Sequence, residues 1–203
     1  MNRTPMGRQL DFDLKYKMNN NDFIKFIEKE KKKVLTNQSK CGIMIIVNER
    51  EVNTMKSLNV TINFDLDGTI AGLYGVENWL PMLVAHDETP YAIAKPLIRL
   101  CTLARMLNKL QRNGYKIAVV SWLAKGSNAD YDERVTNAKL EWLANHLPSV
   151  HWDRITIVEY GTPKENFCET PFDILFDDEE KNRENWNGIA FDVDDILGIL
   201  KTL

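Results

Sequence analysis

Ile62-Asn63-Phe64-Asp65-Leu66-Asp67-Gly68-Thr69 is an apolar strand that runs into Asp-x-Asp-Gly-Thr. The pattern sets two carboxylates and a tight turn at the C-terminal edge of a sheet, which is where open α/β sheets do their chemistry. Gly68 can take the backbone angles that such a strand-to-loop reversal demands. Asp65 and Asp67 can then face one pocket and gather a hard divalent cation. A reactive carboxylate beside a metal points to phosphoryl transfer.

Three further stretches repeat the theme of a strand that ends in chemistry. Lys116-Ile117-Ala118-Val119-Val120-Ser121 reads as a buried parallel strand delivering a hydroxyl, after an amphipathic stretch closed by Asn113-Gly114. Ile155-Thr156-Ile157-Val158 leads into a loop with Lys164, thirteen residues before the next acidic pair. Phe172-Asp173-Ile174-Leu175-Phe176-Asp177-Asp178 is a second apolar strand ending in acids. Paired acids at a strand's end repel each other unless something cationic sits beside them.

Taken in order, these segments resemble the four signatures of the haloacid dehalogenase (HAD) superfamily of phosphohydrolases, over about residues 58 to 200. The resemblance implies a three-layer α/β/α sandwich around a Rossmann-like parallel sheet of about five strands. It implies Asp65 as nucleophile and Asp67 as general acid/base, with Ser121 bonding a phosphoryl oxygen. Lys164 takes the place of the phosphate-neutralising lysine, with Lys139 as the alternative; a solvated helix surface is the other reading of Lys139. Mg²⁺ is the implied cofactor, held by Asp65, the backbone of Asp67 and one of Asp177 or Asp178. Trp122, beside Ser121, is expected at the phosphate site or stacked on a nucleobase.

The family places its cap domains between the first signature and the next helix. Here that position, about residues 71 to 94, is long for a loop and short for a helical cap, so a partial lid is expected. Asn78, Trp79, His86, Asp87 and Tyr91 lie in or beside it, although Trp79 is expected to pack the lid on the core. The apolar residues Leu58, Val60, Ile62 and Phe64 alternate with Asn59, Thr61 and Asn63, which predicts a first strand less deeply buried on one face. Leu140, Trp142, Leu143 and Leu147 read as the core face of a helix.

The chain divides near Met55. Residues 55 to 203 form the expected phosphohydrolase domain, and residues 1 to 54 an appendage of unknown role. Within the appendage Asn21-Asp22 caps a predicted helix, Lys31-Lys32-Lys33 reads as a solvated face, and Ile43 to Val47 is strand-like. A formal charge of −3 with 27% charged and 44% hydrophobic residues fits a globular enzyme and disfavours strong polyanion binding. No segment approaches the roughly 20 apolar residues needed to span a bilayer, and no signal-like h-region is present, so a cytoplasmic location without membrane partners is expected. Cys41, Cys101 and Cys168 form no metal-ligand pattern and are expected as thiols.

The expected activity is Mg²⁺-dependent hydrolysis of a small phosphomonoester, a nucleotide first. Two alternatives remain: a phosphatase of nucleic-acid ends, and a non-catalytic module on the same fold.

Overall fold

The computed structural model describes residues 60–203. The expected division at residues 54 and 55, the predicted N-terminal helix and strand, the lysine run, Cys41 and the start of the first strand at Leu58 lie outside the described residues.

Five parallel strands form the central sheet: β1 (Thr61–Phe64), β4 (Lys116–Trp122), β5 (Arg154–Val158), β6 (Ile174–Phe176) and β7 (Ile189–Phe191). Their spatial order is β5-β4-β1-β6-β7. The chain moves outward from β1 in one direction through β4 to β5, then returns to β1's other side for β6 and β7. Right-handed crossovers in opposite directions place their connections on opposite faces, giving the three-layer α/β/α sandwich that the sequence implies. Helices α3 (Leu100–Arg112), α4 (Ala129–His146) and the C-terminal α6 (Ile196–Thr202) follow β1, β4 and β7. A 3₁₀ turn (Lys164–Phe167) and α5 (Glu180–Asn185) contact each other on the return side.

Side-chain alternation along each strand aligns apolar rows across the sheet. Ile117, Ile62, Ile174 and Ile189 stand in one row, and Val119, Phe64, Phe176 and Phe191 in the next. The three phenyl rings of the second row stack with centroids 5.2 and 5.8 Å apart. Leu103, Leu107 and Leu110 of α3, Trp142 and Leu143 of α4, and Ile196 and Leu200 of α6 close over them. Leu140 does not join this face; it is 38% exposed, one residue out of phase with the helix's buried stripe.

The polar alternation of β1 does not leave a less buried face, as the sequence led us to expect. Thr61 and Asn63 are both buried. Asn63 donates to the carbonyls of Thr61 and Ile174 and accepts from Arg154 Nη2 at 3.2 Å. The Thr61 amide donates to Asp173 Oδ1 at 2.9 Å. A polar residue is inexpensive inside a sheet when a neighbouring element brings its partner, and β5 and the loop before β6 do so here.

The segment expected to act as a partial lid is bounded at both ends. Strands β2 (Ala71–Gly72) and β3 (Lys95–Pro96) pair antiparallel and tie its two ends together, and between them lie a 3₁₀ turn (Leu73–Gly75), α1 (Trp79–Val84) and α2 (Thr89–Ile93). α2 packs on α4, which anchors the lid to the sandwich. Among the described residues no helix is long and apolar enough to cross a membrane.

Asp173 locks the loop before β6 by accepting from the Thr61, Glu169 and Thr170 amides and from the Thr170 hydroxyl, at 2.8 to 3.1 Å. Asp173→Ala removes a buried acceptor from all four donors and should cost about 3 kcal/mol of stability. Urea denaturation measures it, and a loss below about 1 kcal/mol would contradict this role.

Candidate active site

The strand order reverses beside β1, so the loops after β1, β4 and β6 open a crevice at the sheet's carboxyl edge. Asp65 follows β1 directly, its amide donating to the Phe176 carbonyl at 2.9 Å. Beyond it the chain folds into a turn in which the amides of Thr69, Ile70 and Ala71 all donate to the Leu66 carbonyl. Gly68 sits in this turn at φ +82°, and a Cβ there would lie 2.4 Å from Asp178 Oδ2 and 2.6 Å from the Tyr74 ring. The turn thus presses the lid's Tyr74 and the second acidic pair against the Asp65–Asp67 loop.

Each aspartate of that loop holds a buried lysine of its own. Lys164 Nζ donates to Asp65 Oδ1 and to Asp177 Oδ2, both at 2.7 Å. Lys139 Nζ donates to Asp67 Oδ2 at 2.5 Å, to Ser121 Oγ at 2.9 Å and to the Trp122 carbonyl at 2.5 Å. Lys164 and Lys139 are 2% and 1% exposed. Rings line both: Lys164 lies 4.9 Å from the centre of Trp122, and Lys139 4.9 Å from that of Tyr91.

This arrangement corrects several expectations. Lys139 is not a solvated surface residue, because α4 runs beneath the crevice and turns it inward. Lys139 and Lys164 are both in place, on different aspartates. Ser121 is fully buried, lies outside the cavity lining, and its hydroxyl accepts from Lys139 Nζ at 2.9 Å. Trp122 spends its indole N–H on the Thr162 carbonyl at 2.8 Å, which leaves its ring as a cavity wall without a free side-chain donor. His86 stacks on Tyr131 with centroids 4.9 Å apart, away from the cavity lining. Sequence reading passed over Tyr74, whose phenol is driven up by burial and by Asp178 and Asp65, and Asn182, whose amide donates to both oxygens of Asp177.

The acidic groups are crowded. Burial raises Asp67, with Lys139 opposing and Asp65 adding to the rise. Burial also raises Asp177, reinforced by Asp65 and opposed by Lys164. Asp178 is pushed up to about 7 by burial, then by Asp65 and Asp177. Burial alone would lower Lys164, but its two carboxylate partners outweigh that and raise it.

No group of three or more His, Cys, Asp or Glu side chains among the described residues is already drawn together as a metal centre. Of the four expected ligands, Asp177 is the poorest, since Lys164 and Asn182 occupy both of its oxygens. Asp178 contacts only the Thr69 hydroxyl at 3.4 Å among the side-chain bonds it accepts. Asp65, Asp67 and Asp178 line the same cavity, and Asp178 carries no lysine on its carboxylate, so the oxygen chemistry of these side chains fits a hard divalent cation.

These groups form one end of a cavity of about 370 Å³ whose other walls come from the lid and from the loops after β4 and β5. Such a volume suits a small ligand.

No family model and no curated protein matches the sequence. Among solved structures the chain is similar to a D,D-heptose 1,7-bisphosphate phosphatase from Burkholderia thailandensis, at 15% identity and a TM-score of 0.39, over 62% of this chain and 70% of that one. A likeness this distant carries nothing about activity.

The crowding has a pH signature. Asp178 holds its proton to about 7 in the folded protein against an ordinary value of 3.8, so between those values the folded state carries a proton that the unfolded chain has lost. Asp67 and Asp177 shift in the same direction. Metal-free protein should lose stability as pH rises from about 4 to about 7, and Mg²⁺ should recover it most at the upper end. Melting temperatures in chelator and in Mg²⁺ test this; a chelated protein that grows steadily more stable over that range would contradict it.

Proposed function

We propose that the protein is a Mg²⁺-dependent phosphomonoester hydrolase of the haloacid dehalogenase kind, working through a phosphoryl group carried on Asp65. The observation that carries the reading is the pair of buried lysines, one fixing Asp65 and the other fixing Asp67, at the switch point of a parallel sheet.

A carboxylate acts as nucleophile toward phosphorus only when its position is fixed and the incoming phosphoryl charge is offset. Lys164 does both, since its ammonium holds Asp65 Oδ1 and lies on the cavity wall where phosphoryl oxygens arrive. The other oxygen of Asp65 attacks phosphorus as the ester P–O bond breaks. Asp67, two residues on, gives its proton to the departing alkoxide oxygen. It then takes a proton from a water that attacks phosphorus, which frees inorganic phosphate and restores the Asp65 carboxylate. Burial favours the protonated Asp67 that the first step needs, and Lys139 favours the carboxylate that the second step needs. Asp65, the Asp67 carbonyl and Asp178 would hold Mg²⁺, which when bound supplies charge for the phosphoryl oxygens and relieves the carboxylate crowding.

The substrate class that agrees with the cavity is a small phosphomonoester, with a nucleotide as the first candidate by family analogy. The lid narrows the site to small ligands, and the net negative charge gives no basis for holding a nucleic-acid backbone.

Asp65→Asn keeps the shape of the side chain and removes the nucleophile, so turnover of a phosphomonoester panel should fall to background while circular dichroism is unchanged. Asp67→Asn should slow turnover by about 10²–10⁴-fold and accumulate acid-quenched, hydroxylamine-sensitive phosphoenzyme. Full activity in the Asp65 variant, or activity indifferent to a chelator, would refute the proposal.

A further inference from the structure

The proposed hydrolysis uses one end of the cavity and leaves most of its wall without a role. That remaining wall is aromatic on both sides. From the lid, Tyr74 and Trp79 meet edge to face with centroids 5.0 Å apart at 65°. From the end of β4 and the loop after β5, Trp122 and Tyr160 meet at 5.2 Å and 57°. In each pair the tyrosine is about half exposed, 49% for Tyr74 and 46% for Tyr160, and the tryptophan braces it. Trp122 is itself pinned by its bond to Thr162 and by Lys164 over its ring.

Aliphatic side chains fill the space between. Leu80, Leu83 and Val84 of α1 and Leu123 line the same cavity. Every residue of α1, Trp79-Leu80-Pro81-Met82-Leu83-Val84, is apolar, yet none of them is buried. Trp79 and Leu83 pack on the small core beneath the lid, while Leu80 and Val84, 54% and 76% exposed, present apolar surface at the mouth of the cavity. Away from the acids, the charged side chain that lines the cavity is Lys125, which lies 5.8 Å from the Tyr160 ring.

These walls discriminate by chemistry. A polyhydroxylated group placed against them would give up hydrogen bonds to water and find few in return. A planar ring would lose little and gain stacking on a braced tyrosine. We propose that the cavity selects phosphomonoesters whose alcohol carries a planar aromatic ring, stacked on Tyr74 or Tyr160 while the phosphate meets Asp65. This rests on the phosphatase reading and narrows its substrate class. A nucleobase and a simple aryl group share the required chemistry.

The test compares AMP and O-phosphotyrosine, which carry rings, with ribose 5-phosphate and glycerol 3-phosphate, which do not. It measures kcat/KM with Mg²⁺ on the wild type and dissociation constants on Asp65→Asn protein. The expected result is that one ring-bearing ester exceeds both ring-free esters by about tenfold or more, the range of a single stacking contact. Preference for AMP assigns the ring to a nucleobase, and preference for O-phosphotyrosine assigns it to an aryl group. Tyr74→Leu and Tyr160→Leu keep the apolar area and remove the rings, and at least one of them should erase most of the preference through KM. Turnover of ring-free esters within tenfold of both ring-bearing ones would overturn the inference while leaving the phosphatase standing. Absence of all turnover, with tenfold tighter binding of a ring-bearing ester, would uphold the inference and refute the hydrolase. Absence of both would overturn the two together.

Discussion

The site depends on charge neutralisation in a place from which water is largely excluded. Four aspartates, at positions 65, 67, 177 and 178, converge at the carboxyl edge of the sheet, and two of them are almost fully buried. Carboxylates so placed would protonate or pull the loops apart unless cations were built in beside them. Lys164 and Lys139 are those cations, and each arrives from a different element. The 3₁₀ turn after β5 delivers Lys164 between Asp65 and Asp177, and the middle of α4 delivers Lys139 between Asp67 and Ser121. The fold and the chemistry are coupled here, because the ion pairs that hold the loops in place also fix the groups proposed to act on phosphorus.

Strand tips were the most legible part of the chain. Apolar runs ending in Asp65, Ser121, Val158 and Asp177 each carried their own period and their own stop, and all of them became neighbouring parallel strands. The insert between β1 and α3 was legible by its length and position, and its closure by the short β2–β3 ribbon was not, since two-residue strands leave no period to read. The partners of the strand tips were harder. Lys139 lies within Thr136-Asn137-Ala138-Lys139-Leu140-Glu141, where polar neighbours disguise a residue that the helix turns inward. Only the spacing Tyr131, Val135, Ala138, Trp142 would have shown that position 139 borders the buried stripe.

Two misreadings share a physical cause. The alternation in β1 implied a wetter face, and Leu140 implied a core position, because both were judged from their own element. Asn63 is buried because Arg154 and the Ile174 carbonyl reach it from neighbouring strands, and Leu140 is exposed because α4 lies over the sheet with a different stripe. Partners distant in sequence decide burial of polar groups, and a single chain segment does not display them. The same limit applies to Ser121, whose bond from Lys139 joins two residues that no single chain segment brings together.

The central claim is that Asp65 is the atom donor to phosphorus in a cavity completed by a cation next to Asp178. A crystal structure grown with Mg²⁺ and fluoroberyllate tests it most directly. The account predicts a fluoroberyllate group bonded to an Asp65 carboxylate oxygen, with Mg²⁺ held by Asp65, the Asp67 carbonyl and Asp178, and Lys164 within hydrogen-bond distance of a fluorine. A fluoroberyllate bound away from Asp65, or a cation bound at a different group of side chains, would contradict it.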